Sequence, residues 1–514
     1  MSVDATRVGG QHLEITESVL EQVRGLVPSG LGVELELDTP LHELGLDSLA
    51  RMEAVNRIES AYSIRFSEDS LHDIETCRDL ADCVIEKLCG SATVTPRDVV
   101  RREPPAAMPS AAPRVPSEQS DVTQFAECLA FQQRLDETAA AGLTNPYFRV
   151  KEAATPAISR IGGREVLNFT SFDYLGLSLH PKVVAAAQDA IRRFGTSSTA
   201  SRLVGGNTTV LDELDDELAR FIGAEAAAVL PSGYGTNASV LAQLFGPEDL
   251  ILYDDLAHNS IVHGTVASHA KRRAVPHNDY EFVDSLLRDI RGEHRRVVLA
   301  IEGAYSMDGD YPDLPRYLDV KRRHGALLYV DEAHSLGVMG NSGRGICEHY
   351  GVDPAEGDIW MGTISKALGS IGGYVAGSRM LVQYLKYNTP AMVFATASSP
   401  ASAAAATAAI RVLRDEPQWL RRLRDNVALF LKLADDSGLN TGNSRDTGIV
   451  PIILGDSQRC LEVSQRLLTE GIDAQPILYP AVPEAASRVR FLVNANHTEE
   501  HIARAVSATV ASLS

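Results

Sequence analysis

From about residue 125 onward, short apolar, β-branched runs alternate with amphipathic stretches. AAAVLPSG, DLILYDD, RRVVLAIEG, ALLYVDEAH and DIWMGTISK each hold several consecutive apolar residues and then break into a polar cluster. Runs of this kind predict strands of a largely parallel sheet flanked by helices. In such open sheets ligands bind beyond the carboxyl ends of the strands, which is where the polar clusters fall. The first ninety residues follow a different rhythm. LHELGLDSLARMEAVNRIESAYSIRF places Leu49, Met52, Val55, Ile58, Ile64 and Phe66 at helical spacing after a loop. With helical segments at 12–27 and 76–88, this predicts an all-α unit over 11–90, preceded by a disordered 1–10. Residues 91–121, SATVTPRDVVRREPPAAMPSAAPRVPSEQSD, are rich in proline and alanine without apolar periodicity and read as a linker. The expected fold class is therefore multidomain: a helical domain, then an α/β body over 122–514. That body has a large part at about 170–400 and a smaller α/β part at about 401–514, completed by the N-terminal segment of the body.

Composition narrows this picture. A chain of 514 residues is too long for one ordinary core. Its net charge of −20 argues against nucleic acid as a partner. The charge is uneven, because residues 11–90 carry 6 basic and 17 acidic side chains, net −11. No apolar run approaches the roughly 20 residues of a membrane span, and MSVDATRVGG lacks a signal-peptide pattern. Six cysteines without paired short spacings indicate reduced thiols and a cytoplasmic setting. Cys77, Cys83 and Cys89 recur every six residues, which suits neither zinc nor a disulfide; no metal site is read from the chain.

The chemistry starts from GTISKALGSIGG, where Lys366 stands among small residues. Three other stretches give it meaning. LYVDEAHSLGVMG places Asp331 and His334 just past a buried run. LPSGYGTNASV puts Ser232, Gly233 and Tyr234 at a strand-to-helix turn, whose free backbone N–H groups suit a phosphate. YDDLAHNSIVHG sets His258 after another strand. Singly, these are a surface turn, a helix cap, a tight turn and a satisfied histidine. Jointly they meet the demands of pyridoxal 5′-phosphate: an amine, a carboxylate for the ring nitrogen, a phosphate cradle completed by Thr363, and a flat group over the ring.

In GLDSL, Asp47 or Ser48 alone would be a helix N-cap. Within an acidic unit of this size, the stretch resembles the acyl/peptidyl carrier protein family over residues 11–90. That resemblance implies a four-helix fold, 4′-phosphopantetheine on Ser48, a phosphopantetheinyl transferase and acyl-loading enzymes as partners, and Glu53 and Glu59 facing basic surfaces. From about residue 125 onward, NFTSFDYLGLSLHP, EGAYSMDGD, VDEAHSLG, GTISKALG and RVRFLVNANHT resemble the α-oxoamine synthases, within the fold type I pyridoxal-phosphate enzymes. The resemblance implies Lys366 as the Schiff-base lysine and proton shuttle and Asp331 as the pyridinium partner. It further implies His334 on the phenolic oxygen, His258 stacked on the ring, Glu302 and Ser306 lining the site, and Arg490 gripping the substrate carboxylate. Phe172 and Ser201 would border the amino-acid side chain, and Thr396 in FATASS would reach a phosphate in the other subunit of a homodimer.

Two positions depart from the family pattern. Phe172 stands where several members carry asparagine, and Leu211 replaces the histidine of H-x-x-L-E, which implies a packing change. The implied reaction is a decarboxylative, Claisen-like condensation of glycine, alanine or serine with an acyl thioester, giving an α-amino ketone and carbon dioxide. The fused carrier points to an acyl group borne on Ser48 and to chain release in polyketide or related biosynthesis. The 31-residue linker reaches roughly 30 Å as a coil and about 95 Å extended, and KRR (271–273) or RRLR (421–424) offers basic docking segments. Two alternatives stay open: a CoA-dependent synthase whose carrier serves another enzyme, and a non-catalytic carrier scaffold.

Overall fold

The computed structural model describes residues 4–24, 26–27, 35–41, 44, 48–64, 66, 74, 76–89 and 116–513. The chain divides into two compact units, 1–114 and 115–514. Most of the expected linker, 91–115, lies outside the described residues, as do the side chains of Ser48, Glu53 and Cys89.

In the first unit, helices Asp4–Arg24, Ser48–Tyr62 and Cys77–Cys89 enclose a core that includes Val19, Val23, Leu41, Leu44, Val55, Ile58, Phe66, Leu80 and Val84. The first helix begins at Asp4, inside the segment expected to be disordered. Once a helix is nucleated, each added residue brings its own hydrogen bond, so it extends past its packed part. Cys77 is a core residue whose thiol burial pushes up to about 11. Glu59 corrects a second expectation: it is buried and accepts the Phe66 backbone N–H at 2.8 Å, so it is not a surface charge.

The second unit begins its sheets with β1 (Ala153–Ala154), β2 (Ile158–Ile161) and β3 (Arg164–Asn168). Then come β4 (Ala226–Leu230), β5 (Leu250–Asp254), β6 (Lys271–Val275), β7 (Val297–Glu302), β8 (Leu327–Asp331), β9 (Ile359–Thr363) and β10 (Gly373–Gly377). These seven form one sheet in the order β4-β10-β9-β8-β7-β5-β6. Only β10 runs against the rest, pairing antiparallel with β4 and β9. β7, β9 and β10 are buried at every position, which explains their unbroken apolar or glycine-rich wording. Two strands carry no apolar signature. β6, KRRAV, is an edge strand with four exposed residues, where basic side chains discourage pairing with another chain. β10, GYVAG, is short and bounded by glycine.

The smaller part holds β11 (Ile449–Ile453), β12 (Ile472–Asp473), β13 (Gln475–Ile477) and β14 (Arg488–Leu492), with an antiparallel sheet in the order β11-β14-β13. β12 instead pairs parallel with β3, tying the N-terminal segment to this part. Helices Gln418–Asp436, Ser457–Thr469 and Glu499–Leu513 supply the rest of its core. Leu211 is fully buried on helix Thr209–Ile222 beside Val210, Leu214 and Leu218, so its replacement of histidine fills core volume.

Candidate active site

The site is assembled where β7, β8 and β9 end. β9 finishes at Thr363, and β10 returns the chain after a tight loop that carries Lys366. Gly369, at φ +59°, lies so close to Ser178 that a Cβ would come within 2.7 Å of its backbone nitrogen. This close approach fixes the loop and with it the lysine. A cavity of about 130 Å³ is lined by Lys366, Asp331, His334, His258, Glu302 and Thr363, together with Gly233, Tyr234, Asn237 and Ser260. Burial pushes the Lys366 amine down to about 8, against the pull of Asp331 and Glu302 and with added repulsion from Arg490. At neutral pH this leaves a few hundredfold more uncharged amine than an ordinary lysine offers.

Asp331 closes β8 with both carboxylate oxygens held. Oδ2 accepts Asn237 Nδ2 at 2.7 Å and Oδ1 accepts the Ala333 backbone N–H at 2.8 Å. Asn237 is itself fully engaged, donating also to Ser260 Oγ at 2.8 Å and accepting from Tyr329 Oη at 2.7 Å. His334 is buried and its Nδ1 meets Tyr174 Oη at 2.8 Å. Burial, followed by the nearby Lys366 and Arg490 charges, holds its imidazole well below the usual range and so neutral. Glu302 ends β7, buried, and accepts the His258 backbone N–H at 2.5 Å. Burial and the Asp331 charge push its carboxyl well above the usual range. His258 caps helix Asn259–Ala267, and its Nδ1 meets Ser260 Oγ at 2.7 Å.

Ser232 caps the helix Gly233–Leu244 by accepting the Gly235 N–H at 2.9 Å. A Cβ on Gly233 would sit 3.1 Å from Thr363 Cβ, so glycine keeps this turn open toward the cavity. Thr363 Oγ1 donates to Gly372 O at 2.6 Å. Tyr234 lines the cavity at the helix start; its side chain is partly exposed, its hydroxyl bonds Asn259 and His263, and its ring packs edge-on against His258 with centroids 6.2 Å apart.

Arg490 comes from β14, in the smaller part. Its Nη1 donates to Ser306 O at 2.8 Å and lies 3.3 Å from Met307 Sδ, while its buried Nε has no partner. Ser306 therefore contributes through its carbonyl. Phe172 stands between the two cations, its ring centroid 5.5 Å from Lys366 Nζ and 5.3 Å from Arg490 Cζ, with the His334 ring edge-on at 5.5 Å. Arg490 also lines a second cavity of about 290 Å³ with Arg149, Lys151, Thr170 and Asp473.

The structure does not bring every expected residue to this cavity. Ser201 is buried with an unpartnered hydroxyl, and Thr396 is exposed on a loop joined to the neighbouring Ala200 through Ala397 N–H at 3.0 Å. Neither lines the cavity of its own chain. Asn237, Ser260 and Tyr174 were missed by sequence reading. Asn237 carried one faint signal, its place one helical turn after Gly233 on the same face. A larger cleft of about 540 Å³, lined by Asp215, Arg379 and Lys386 among others, is not the chemical centre. There Asp215 is already taken up by Arg202, Lys386 and the Val229 N–H.

A parallel sheet with one reversed strand and a lysine, a held carboxylate and a helix N-terminus at its carboxyl edge define a fold type I pyridoxal-phosphate enzyme. The aminotransferase class I and II family matches residues 164–508, and the phosphopantetheine attachment site family matches residues 21–84. An 8-amino-7-oxononanoate synthase of Symbiobacterium thermophilum is 39% identical over 370 residues, covering 72% of this chain and 93% of that protein. Its counterpart in Geobacter sulfurreducens is 42% identical over 349 residues, covering 67% and 88%. Among solved structures, serine palmitoyltransferase of Sphingomonas wittichii superposes with a TM-score of 0.72 at 29% identity, covering 76% of this chain and 98% of that one. The chain belongs to the aminotransferase class I and II family, as an α-oxoamine synthase preceded by a phosphopantetheine carrier domain. It is a pyridoxal-phosphate-dependent acyltransferase, and its two cofactors are pyridoxal 5′-phosphate and 4′-phosphopantetheine. Among the described residues, no helix is long and apolar enough to cross a membrane.

Proposed function

We propose that this enzyme condenses a small α-amino acid, glycine, alanine or serine, with an acyl group carried as a thioester on the phosphopantetheine of Ser48. The new bond joins the amino acid's α-carbon to the acyl carbonyl carbon, the C–S bond breaks to release the thiol, and the carboxylate leaves as carbon dioxide. An α-amino ketone results, released from its carrier, which suits the end of a polyketide or related assembly. The observation that carries the reading is the Lys366 amine, its basicity lowered by burial, in one cavity with a carboxylate held at both oxygens.

The residues present fit pyridoxal phosphate: an amine of lowered basicity, a fixed anion, and a helix start kept open by Gly233 beside Thr363. When bound, that cofactor supplies an electron sink for breaking bonds at the α-carbon. Lys366 would hold the cofactor through its amine and, when free, would take the α-proton and return one. Asp331 keeps a positive charge on the ring nitrogen, and the two donors on its oxygens keep it aimed. Neutral His334, held at Nδ1 by Tyr174 Oη, would present its Nε2 to the cofactor's oxygen. His258 covers the ring. Ser232, Gly233, Tyr234 and Thr363 would hold the phosphate through backbone N–H groups and hydroxyls, and Glu302 supports His258. Arg490 grips the substrate carboxylate with its unpartnered Nε edge, and Phe172 walls off the side chain.

A homodimer completes the site, with Thr396 of one copy donating to the phosphate in the other, and Ser201 borders the amino-acid side chain together with Phe172. A phosphopantetheinyl transferase and acyl-loading enzymes act earlier, in the cytoplasm. The test compares an acyl-CoA with acyl-loaded carrier across a panel of amino acids, reading product and carbon dioxide by mass spectrometry. Ser48→Ala, which has no hydroxyl to load, is expected to abolish turnover from the carrier; wild-type turnover of acyl-CoA in Ser48→Ala, with no product from the loaded carrier of the unmodified protein, would favour the CoA-dependent reading. A protein that takes up no cofactor and gives no product from either donor would be a carrier scaffold.

A further inference from the structure

Beyond the cavity, at the ends of β5, β6 and β7, a single imidazole is held between two carboxylates. His277 Nδ1 meets Asp254 Oδ1 at 2.8 Å and its Nε2 meets Asp310 Oδ2 at 2.9 Å. Asp254 and Asp310 are both buried. Burial opposes a charge on His277, but the two carboxylates outweigh it and push the imidazole up to about 10, so it is an imidazolium at neutral pH. Asp255 lies near enough to make Asp254, Asp255 and His277 a possible metal group. Both ring nitrogens are already engaged, however, and a protonated imidazole is no ligand.

The same ring touches one loop at two points. It binds the Asp310 carboxylate and packs edge-on against Tyr305, centroids 4.5 Å apart. Tyr305 N–H donates to Asp310 O and Gly309 N–H to Tyr305 O, both at 2.9 Å, which closes the loop on itself. The middle of this loop holds two arginines of β14. Ser306 O accepts Arg490 Nη1 at 2.8 Å, and Met307 O accepts Arg488 Nη1 at 2.9 Å. Arg488 has a carboxylate as well, Asp308 at 2.6 Å. Arg490, by contrast, bonds the Ser306 carbonyl and lies against the Met307 sulfur. The aim of its guanidinium therefore depends on where that carbonyl sits.

We propose that His277 is a positioning residue for amino-acid binding: by clamping Asp310 and Tyr305 it fixes the carbonyls that aim Arg490 at the substrate carboxylate. This rests on the reading of Arg490 as the carboxylate grip. His277→Gln keeps a polar side chain but removes the charge and one of the two bonds. Misplacing a gripping group by about 1 Å costs up to about a hundredfold. The expected result is a rise of about tenfold or more in amino-acid Kd, followed by the change in cofactor absorbance, and an equal rise in KM. kcat stays within about threefold and cofactor affinity within about twofold, a split that general destabilisation does not produce. Asp310→Asn, which keeps the loop's shape, carries the same expectation if His277→Gln does not fold. An unchanged amino-acid Kd in a folded, cofactor-loaded variant overturns the proposal, as does a parallel loss of cofactor affinity. Arg490→Lys, measured alongside, separates the two layers. If it weakens amino-acid binding while the His277 and Asp310 variants do not, only the positioning role falls. If it has no effect, the carboxylate grip falls and the positioning role with it.

Discussion

Asn237 is the most informative residue to perturb, because one amide serves the cofactor's anion and the core at once. Asn237→Leu keeps the volume and removes the donor to Asp331 Oδ2, the donor to Ser260 and the acceptor for Tyr329 Oη. A hydrogen bond to a charged group is worth about 1.5–3 kcal/mol, and an orphaned buried hydroxyl costs about 1–3 kcal/mol. The first figure weakens the held anion and is expected to raise the pyridoxal phosphate Kd by about tenfold to a hundredfold. The second lowers the melting temperature of apo and loaded protein alike. Spectral titration of apoenzyme gives the Kd, and thermal unfolding gives the stability. Tyr329→Phe is the control: it removes the hydroxyl on Asn237 Oδ1 and leaves the bond to Asp331 intact, so the Kd stays within about threefold. A folded Asn237→Leu protein with wild-type cofactor affinity would refute the claim that this amide holds the carboxylate in its working state.

The lowered Lys366 basicity has a kinetic signature. Capture of pyridoxal phosphate by apoenzyme needs the uncharged amine, so its rate is expected to climb with pH and level off above about 8, near the value to which burial brings the amine; a profile still rising at pH 10 contradicts it. Lys366→Ala gives no borohydride-trapped adduct at that position by peptide mass spectrometry. Arg490→Lys loses the Nε edge and is expected to raise KM for the amino acid by about thirtyfold or more, with a smaller effect on the acyl donor, as steady-state kinetics will read. Glu332, fully buried beside Asp331, is pushed up to about 7 by burial despite bonds from Ser335 and Ile346. Its folded pKa lies above its unfolded one, so the folded state binds the extra proton between about 4.5 and 7, and stability falls as pH rises through that window. Glu332→Gln is expected to flatten that fall in melting temperature; an unchanged slope would assign it to other groups.

The polar clusters at the strand ends were legible because each is local: Asp331 and His334 follow β8 directly, Lys366 follows β9, and His258 follows β5. Apolar runs of three to five residues, each ending in a polar cluster, identified those strands without any tertiary information. β6 and β10 escaped because neither has that signature. One is a basic edge whose side chains face water, and the other is bounded by glycines between two neighbours.

What the sequence determined by itself was the kind of chemistry: residue types at short spacing, and the periodicity that put them at one edge of a sheet. What only the tertiary structure decided was partnership between remote positions. Asn237 and Asp331 are 94 residues apart, Tyr174 and His334 are 160 apart, and Arg490 and Ser306 are 184 apart. Glu59, polar by sequence, became a core acceptor, and Phe172 found its place between two cations. A side chain's charge state and direction follow from the burial and the donors around it, and these are set by packing between distant segments that no local pattern records.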